Sequence, residues 1–143
     1  QYPEVNQEKS DLELALNYAL TLEPEEIVIY GALGGERADH AFINILLLAI
    51  PFKKGVRAKI IDERQEIQLM GRELIVKGRA GDYLSLFALT PVATGVVTKG
   101  LKYPLFKESL YFASSRGLSN ELTGDIAKIT AESGLLLVVK NSR

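Results

Sequence analysis

The chain has 143 residues, 47% apolar and 24% charged, enough for one compact domain or two small ones with a true core. No apolar run reaches the ~18 residues of a membrane-spanning helix, and zero cysteines with one histidine exclude disulfides, thiolate metal centres and a multi-histidine zinc site. The net charge of −1 divides into −5 over residues 1–55 and +4 over residues 56–143, which is not basic enough to argue for nucleic acid. An acidic half suits a metal-assisted site and a basic half an anionic ligand, although ordinary solvated surface gives the same split.

The chain opens Gln1-Tyr2-Pro3, without methionine or signal peptide, as expected of a portion of a longer protein. Residues 10–22 read as the first helix. Leu12, Ala15, Leu16, Ala19 and Leu20 form a stripe at helical spacing, Ser10 and Glu13 have capping-box spacing, and Pro24 lies beyond the end. Residues 26–30 (EIVIY) read as a short buried strand, followed by a glycine loop over 31–37. A very apolar helix then starts at Ala38 or Asp39, runs to about Ile50 and stops at Pro51. Residues 57–61 (RAKII) form the next strand. Strand, helix, strand is a βαβ crossover, so the two strands are expected to be parallel.

After Asp62 the period changes. Residues 66–70, 73–77, 83–89, 92–98, 109–113, 125–131 and 135–140 are strand candidates, with tight turns at Gly71-Arg72, Gly81-Asp82 and Ser133-Gly134. Short, evenly spaced strands of this kind suggest an antiparallel sandwich. The expected fold class is therefore α/β followed by all-β. A partial, Rossmann-like α/β portion with parallel strands spans 1–61, and an antiparallel β-sandwich spans 62–143. Two strands and two helices make a poor parallel sheet by themselves, because such sheets are covered on both faces.

Three segments have the residue types for chemistry. The loop containing Gly31, Gly34, Gly35, Arg37, Asp39 and His40 sits between a strand and a helix, where α/β sheets place their ligands. Glycines let a backbone approach a phosphate, Arg37 offers a planar fork to its oxygens, and Asp39 is a hard oxygen donor for Mg²⁺. The same residues also suit a plain turn, a helix cap and a surface arginine. His40 is either a ligand contact or part of the helix start. The second segment, Gln7-Glu8-Lys9-Ser10-Asp11, places carboxylates at a helix start, where capping accounts for them unless Asp11 faces the glycine loop. The third, Ser119-Asn120-Glu121, lies in the least strand-like stretch and suits either a binding loop or an Asx turn. Residues 95–105 (GVVTKGLKYPL) suit a structural corner or a pocket wall.

Together these segments resemble the thiamine pyrophosphokinase (thiamine diphosphokinase) family, from about Gln7 to the end of the chain. Gln7-Glu8-Lys9-Ser10-Asp11 resembles the family's Gln/Lys-Asp-x-Thr-Asp segment, and residues 31–40 with Asn44 resemble its Gly-Ala-x-Gly-Gly-Arg-x-Asp-His-x-x-x-Asn block. Tyr83-Leu84-Ser85-Leu86-Phe87 resembles its Tyr-Ile-Ser-Leu-Phe strand. Residues 98–105 resemble its Thr-x-x-Gly-x-Lys-Tyr-Pro-Leu segment, and Ser119-Asn120-Glu121 matches its Ser-Asn-Glu. Ser10 stands for the usual threonine, Glu8 for aspartate, and Glu36 lengthens Gly-Gly-Arg, which affects where Arg37 points.

The resemblance implies an α/β domain followed by a β-sandwich, in a cytoplasmic homodimer with active sites between subunits. It implies Mg²⁺-dependent transfer of a pyrophosphoryl group from ATP to thiamine, giving thiamine diphosphate and AMP. Residue by residue, it implies that Asp11 and Asp39 bind Mg²⁺ and act in catalysis with Arg37. Gln7, Ser10, Gly34, Gly35, His40 and Asn44 line the ATP and phosphate site, and Ser119 and Asn120 hold thiamine. The family's upstream Gly-Asp-x-Asp-Ser segment has no counterpart in these residues, so this portion alone is expected to turn over little. A thiamine- or nucleotide-binding module without catalysis is the alternative. No membrane or nucleic-acid partner is expected.

Overall fold

The computed structural model describes residues 9–34 and 37–143. The chain divides into two compact units, residues 1–62 and 63–143.

The first unit begins with helix α1 (Asp11–Thr21). Ser10 is its N-cap, and the hydroxyl accepts from the Glu13 backbone N–H at 3.1 Å, satisfying one of the helix's orphan donors. Leu16 is buried and Leu12, Ala19 and Leu20 are half-buried, but Ala15 is exposed and falls outside the expected stripe. Strand β1 (Glu26–Tyr30) pairs in parallel with β2 (Arg57–Ile61), from Glu26 opposite Arg57 to Tyr30 opposite Ile61.

The crossover differs from the expected single helix. Helix α2 (Ala38–Leu46) ends early, and helix α3 (Ala49–Lys53) follows after a turn at Leu47 and Leu48. Pro51 therefore does not stop a helix. It lies in the first turn of α3, where a missing N–H costs little. The turn buries Leu47 and Leu48. None of the α2 side chains is fully buried, and Phe42, Ile43 and Leu46 are exposed. Among the described residues no helix is long and apolar enough to cross a membrane.

The second unit is a sandwich of two antiparallel sheets. One runs β3 (Gln65–Met70), β10 (Leu136–Asn141), β5 (Tyr83–Ala88), β8 (Asn120–Glu121). The other runs β4 (Glu73–Lys77), β9 (Ile126–Thr130), β6 (Val92–Lys99), β7 (Glu108–Tyr111). Alternate side chains turn inward, as a pleated strand requires. Leu84, Leu86, Ala88, Leu136 and Val138 from the first sheet meet Val76, Ala93, Val96, Ala127 and Ile129 from the second in one core.

Strand β8 was not expected. Two residues are too few to show a period, and only its pairing with Tyr83 and Leu84 makes it a strand. β7 also ends at Tyr111 rather than 113, because Ala113 has a φ of 63°, which no strand accommodates. Residues 95–105 are a structural corner and a pocket wall at once. β6 bulges between Ala93 and Val96, and Gly100 (φ 85°) lies so close to the Ile126 carbonyl that any Cβ would collide with it.

Candidate functional site

In the first unit, Gly31 and Gly34 follow the carboxyl end of β1, and Arg37, Asp39, His40 and Asn44 belong to the start and body of α2. Gly31 (φ 75°) starts the turn, and the Gly34 N–H reaches back to the Gly31 carbonyl at 3.3 Å. The Asn44 side chain, one turn into α2, donates to the Ala32 carbonyl at 2.8 Å and straps the loop onto the helix. Asn44 is therefore occupied by the loop backbone and helps set the loop's shape. Gly34 has an ordinary φ, and a Cβ there would meet only the Gly31 carbonyl, at 3.6 Å. Nothing among the described residues requires glycine at 34 for the fold. The open side of the backbone is free for a ligand to approach.

Arg37 occupies the N-cap of α2 but makes no side-chain cap bond. Its guanidinium instead holds Asp39 in a two-point pair, Nε to Oδ1 at 3.0 Å and Nη2 to Oδ2 at 2.7 Å. Asp39 Oδ1 also accepts from the His40 backbone N–H at 2.9 Å. Asp39 thus does part of a cap's work from inside the first turn. The Arg37 hydrogen bond holds its carboxyl below the usual carboxylate range. Both side chains are about two-thirds exposed, so the pair is open to exchange with a ligand. Arg37, Asp39 and His40 are thus brought together on one exposed turn. Asp11 and Ser10 sit at the start of α1, with the Ser10 hydroxyl engaged in capping. Gln7, Glu8, Gly35 and Glu36 lie outside the described residues. Among the described residues, no group of three or more acidic or histidine side chains forms a ready-made metal centre.

The second unit carries a cleft of about 140 Å³ beside β8. Leu86, Leu101 and Leu105 give it apolar walls, Tyr103-Pro104 and Asn120 one rim, and Arg116 with Gly117 another. Ser119 is held in the left-handed region (φ 59°), uncommon outside glycine, with its N–H donating to the buried Ser85 hydroxyl at 2.9 Å. Its own hydroxyl is on an exposed residue. The Asn120 side chain bonds to backbone groups. Its amide oxygen accepts from Tyr103 N–H (3.0 Å) and Glu121 N–H (2.9 Å), and its amide nitrogen donates to the Tyr103 carbonyl (2.7 Å). The side chain fixes the rim.

The sequence reading missed Arg116, Glu108 and Gly117. Gly117 is required because its carbonyl accepts from Leu86 N–H at 2.9 Å, and a Cβ there would collide with the Leu86 carbonyl. Arg116 pairs with Glu108 eight positions earlier, across the irregular segment that follows β7. No local pattern could have exposed that pair.

The chain matches two family models in succession: the catalytic domain of thiamin pyrophosphokinase over residues 1–60, and its vitamin B1 binding domain over residues 67–136. The chain belongs to the thiamin pyrophosphokinase family. It is 30% identical over 141 residues to the thiamine pyrophosphokinase of Bacillus subtilis, covering 97% of this chain and 65% of that protein. The crystal structure of the Bacillus subtilis thiamine pyrophosphokinase superposes with a TM-score of 0.89 at 29% identity, covering 95% of this chain and 64% of that one. That of Geobacillus thermodenitrificans thiamin pyrophosphokinase gives 0.83 at 26% identity, covering 94% and 62%. The chain thus spans just under two-thirds of the length of these relatives. The α/β portion followed by the β-sandwich agrees with this family's architecture.

Proposed function

We propose that the protein transfers a pyrophosphoryl group from ATP to thiamine, releasing AMP and thiamine diphosphate. The observation that carries this reading is the succession of the two family domains along one chain, catalytic then vitamin B1 binding. In the reaction the thiamine hydroxyl oxygen bonds to the β-phosphorus, the bond to the α-phosphate oxygen breaks, AMP leaves with the electron pair, and the hydroxyl proton passes to solvent. Such transfers depend on positioning and charge neutralisation more than on covalent catalysis.

Residue roles follow the two half-sites. The N-terminus of α2, Gly34 and the Arg37 guanidinium receive phosphate oxygens, with Asn44 holding the loop in shape. Gln7, Ser10, Gly35 and His40 complete the nucleotide site in this reading. Asp11 and Asp39 are the residues that would hold Mg²⁺. The donor set fits it, since Mg²⁺ takes one or two carboxylates and completes its shell with phosphates and water rather than a full protein cage. When bound, the ion neutralises phosphate charge. Asp39 exchanges Arg37 for that role, and the released guanidinium becomes available to the phosphates. Ser119 and the cleft beside Asn120 take thiamine.

We further propose a cytoplasmic homodimer that shares its active sites between subunits. The two half-sites lie on separate units of the chain, which supports this reading. The test is an assay of the whole protein with ATP, thiamine and Mg²⁺. Equal amounts of AMP and thiamine diphosphate are expected, with Asp39→Asn and Arg37→Ala each lowering turnover at least tenfold. Binding of both substrates without AMP release would instead indicate a non-catalytic module.

A further inference from the structure

The thiamine cleft has one charged group on its wall, and that charge is already cancelled. Among the described lining residues only Arg116 is ionised at neutral pH. Its Nε and Nη2 donate to Glu108 Oε2 and Oε1 at 2.9 and 2.7 Å, a two-point pair that occupies one full edge of the guanidinium. The pair is held from both ends. Glu108 opens β7, while the Arg116 backbone N–H is bound to Ser114 Oγ at 3.1 Å and the next residue, Gly117, is pinned to Leu86. The backbone at Arg116 is thus fixed beside the cleft, and the Glu108 pair orients its guanidinium.

We infer that Glu108 is a specificity-determining residue, which neutralises Arg116 so that the cleft accepts a cationic ring rather than an anion. This rests on the reading that the cleft takes thiamine, whose thiazolium ring carries a permanent positive charge. An unpaired guanidinium on the wall would repel that ring. Paired with Glu108, it presents little net charge. An anionic ligand meets an arginine whose Nε–Nη2 edge is already taken by Glu108.

The test is calorimetric titration of thiamine into the wild-type chain, Glu108→Gln, Arg116→Gln and the double variant, at low and at high ionic strength. Glu108→Gln is expected to bind thiamine about threefold more weakly at low salt, the range of a single partly exposed charge. Arg116→Gln is expected to bind more tightly than wild type, and the double variant to return to the wild-type value. High salt should erase the differences, because screening acts on charge and not on packing. Equal affinity in Glu108→Gln and wild type, or a double variant as weak as Glu108→Gln, overturns the inference. Should Glu108→Gln fail to fold, weakened binding by Arg116→Gln overturns it equally. Wild-type chain that takes up no thiamine removes the functional reading first, before any variant is compared.

Discussion

Asn120 and Tyr103 hold each other by two hydrogen bonds that run in opposite directions. The Tyr103 N–H donates to Asn120 Oδ1 at 3.0 Å, and Asn120 Nδ2 donates to the Tyr103 carbonyl at 2.7 Å. Seventeen residues apart in sequence, they join the Lys-Tyr-Pro turn to the Ser-Asn-Glu strand, the two segments that flank the cleft. An asparagine side chain copies a peptide group, with one donor edge and one acceptor edge, so it serves here as one more rung between backbones.

Asn120→Ala removes this clamp and leaves the Tyr103 N–H and C=O to find water. A loss of about 1 kcal/mol of stability is expected, since both bonds are exposed. Asn120→Asp keeps the acceptor and loses the donor, so it should fall between. Thermal unfolding orders the three proteins. Thiamine affinity is expected to follow the same order, because the rim carries Tyr103.

Substitution at Gly34 and at Gly117 tests whether the loop glycine serves a ligand or the fold. Gly34→Ala meets only the Gly31 carbonyl at ordinary contact distance, so the melting temperature should stay within about 2 °C of wild type. Nucleotide affinity, measured by titration with Mg-ATP, is expected to drop at least fivefold. Gly117→Ala drives a methyl group into the Leu86 carbonyl and should cost more than about 2 kcal/mol. If Gly34→Ala destabilises as much as Gly117→Ala, the loop glycine is structural.

The contrast between these two glycines marks how far the sequence could be read. Strands β1, β2 and β4 were legible to the residue, because each is an apolar segment bounded by turn residues. The α2–α3 break was not, because residues 45–50 are apolar throughout and carry no periodic signal to end a helix. Only burial of Leu47 and Leu48 decides it. At the site, Ser10's capping, the Gly31 turn and the Arg37–Asp39 pair are local and could be anticipated from spacing. The Asn120–Tyr103 and Arg116–Glu108 pairs are tertiary and could not. The residues themselves offered 119–121 as a binding loop and 95–105 as a pocket wall, while thiamine as the ligand there came only through resemblance.

The ion pairs predict a pH response. Hydrogen bonding from Arg37 holds the Asp39 carboxyl below its usual range, and Arg116 does the same to Glu108. A carboxyl depressed on folding contributes stability above its unfolded pKa and loses it as pH falls through the folded value. Both pairs should therefore weaken only in acid, below the ordinary carboxylate range, and stay intact at neutral pH. Carboxyl titration by NMR is expected to place both midpoints low. Arg37→Ala should move the Asp39 midpoint up, and Arg116→Gln that of Glu108.

The sandwich core sets the scaffold's tolerance. Ile129 and Leu136 are fully buried on opposing sheets. Ile129→Ala or Leu136→Ala should each cost about 2–5 kcal/mol, from lost transfer energy and the cavity left behind. Denaturant unfolding measures this, and a loss under 1 kcal/mol would mean that the two sheets are not packed as described.

The most direct test of the account is calorimetric titration of this chain with thiamine, with and without Mg-ATP. Saturable one-to-one thiamine binding, weakened by Asn120→Ala, is the expected result. A folded chain that takes up no thiamine under either condition would contradict the assignment of the cleft beside Asn120 as the thiamine site.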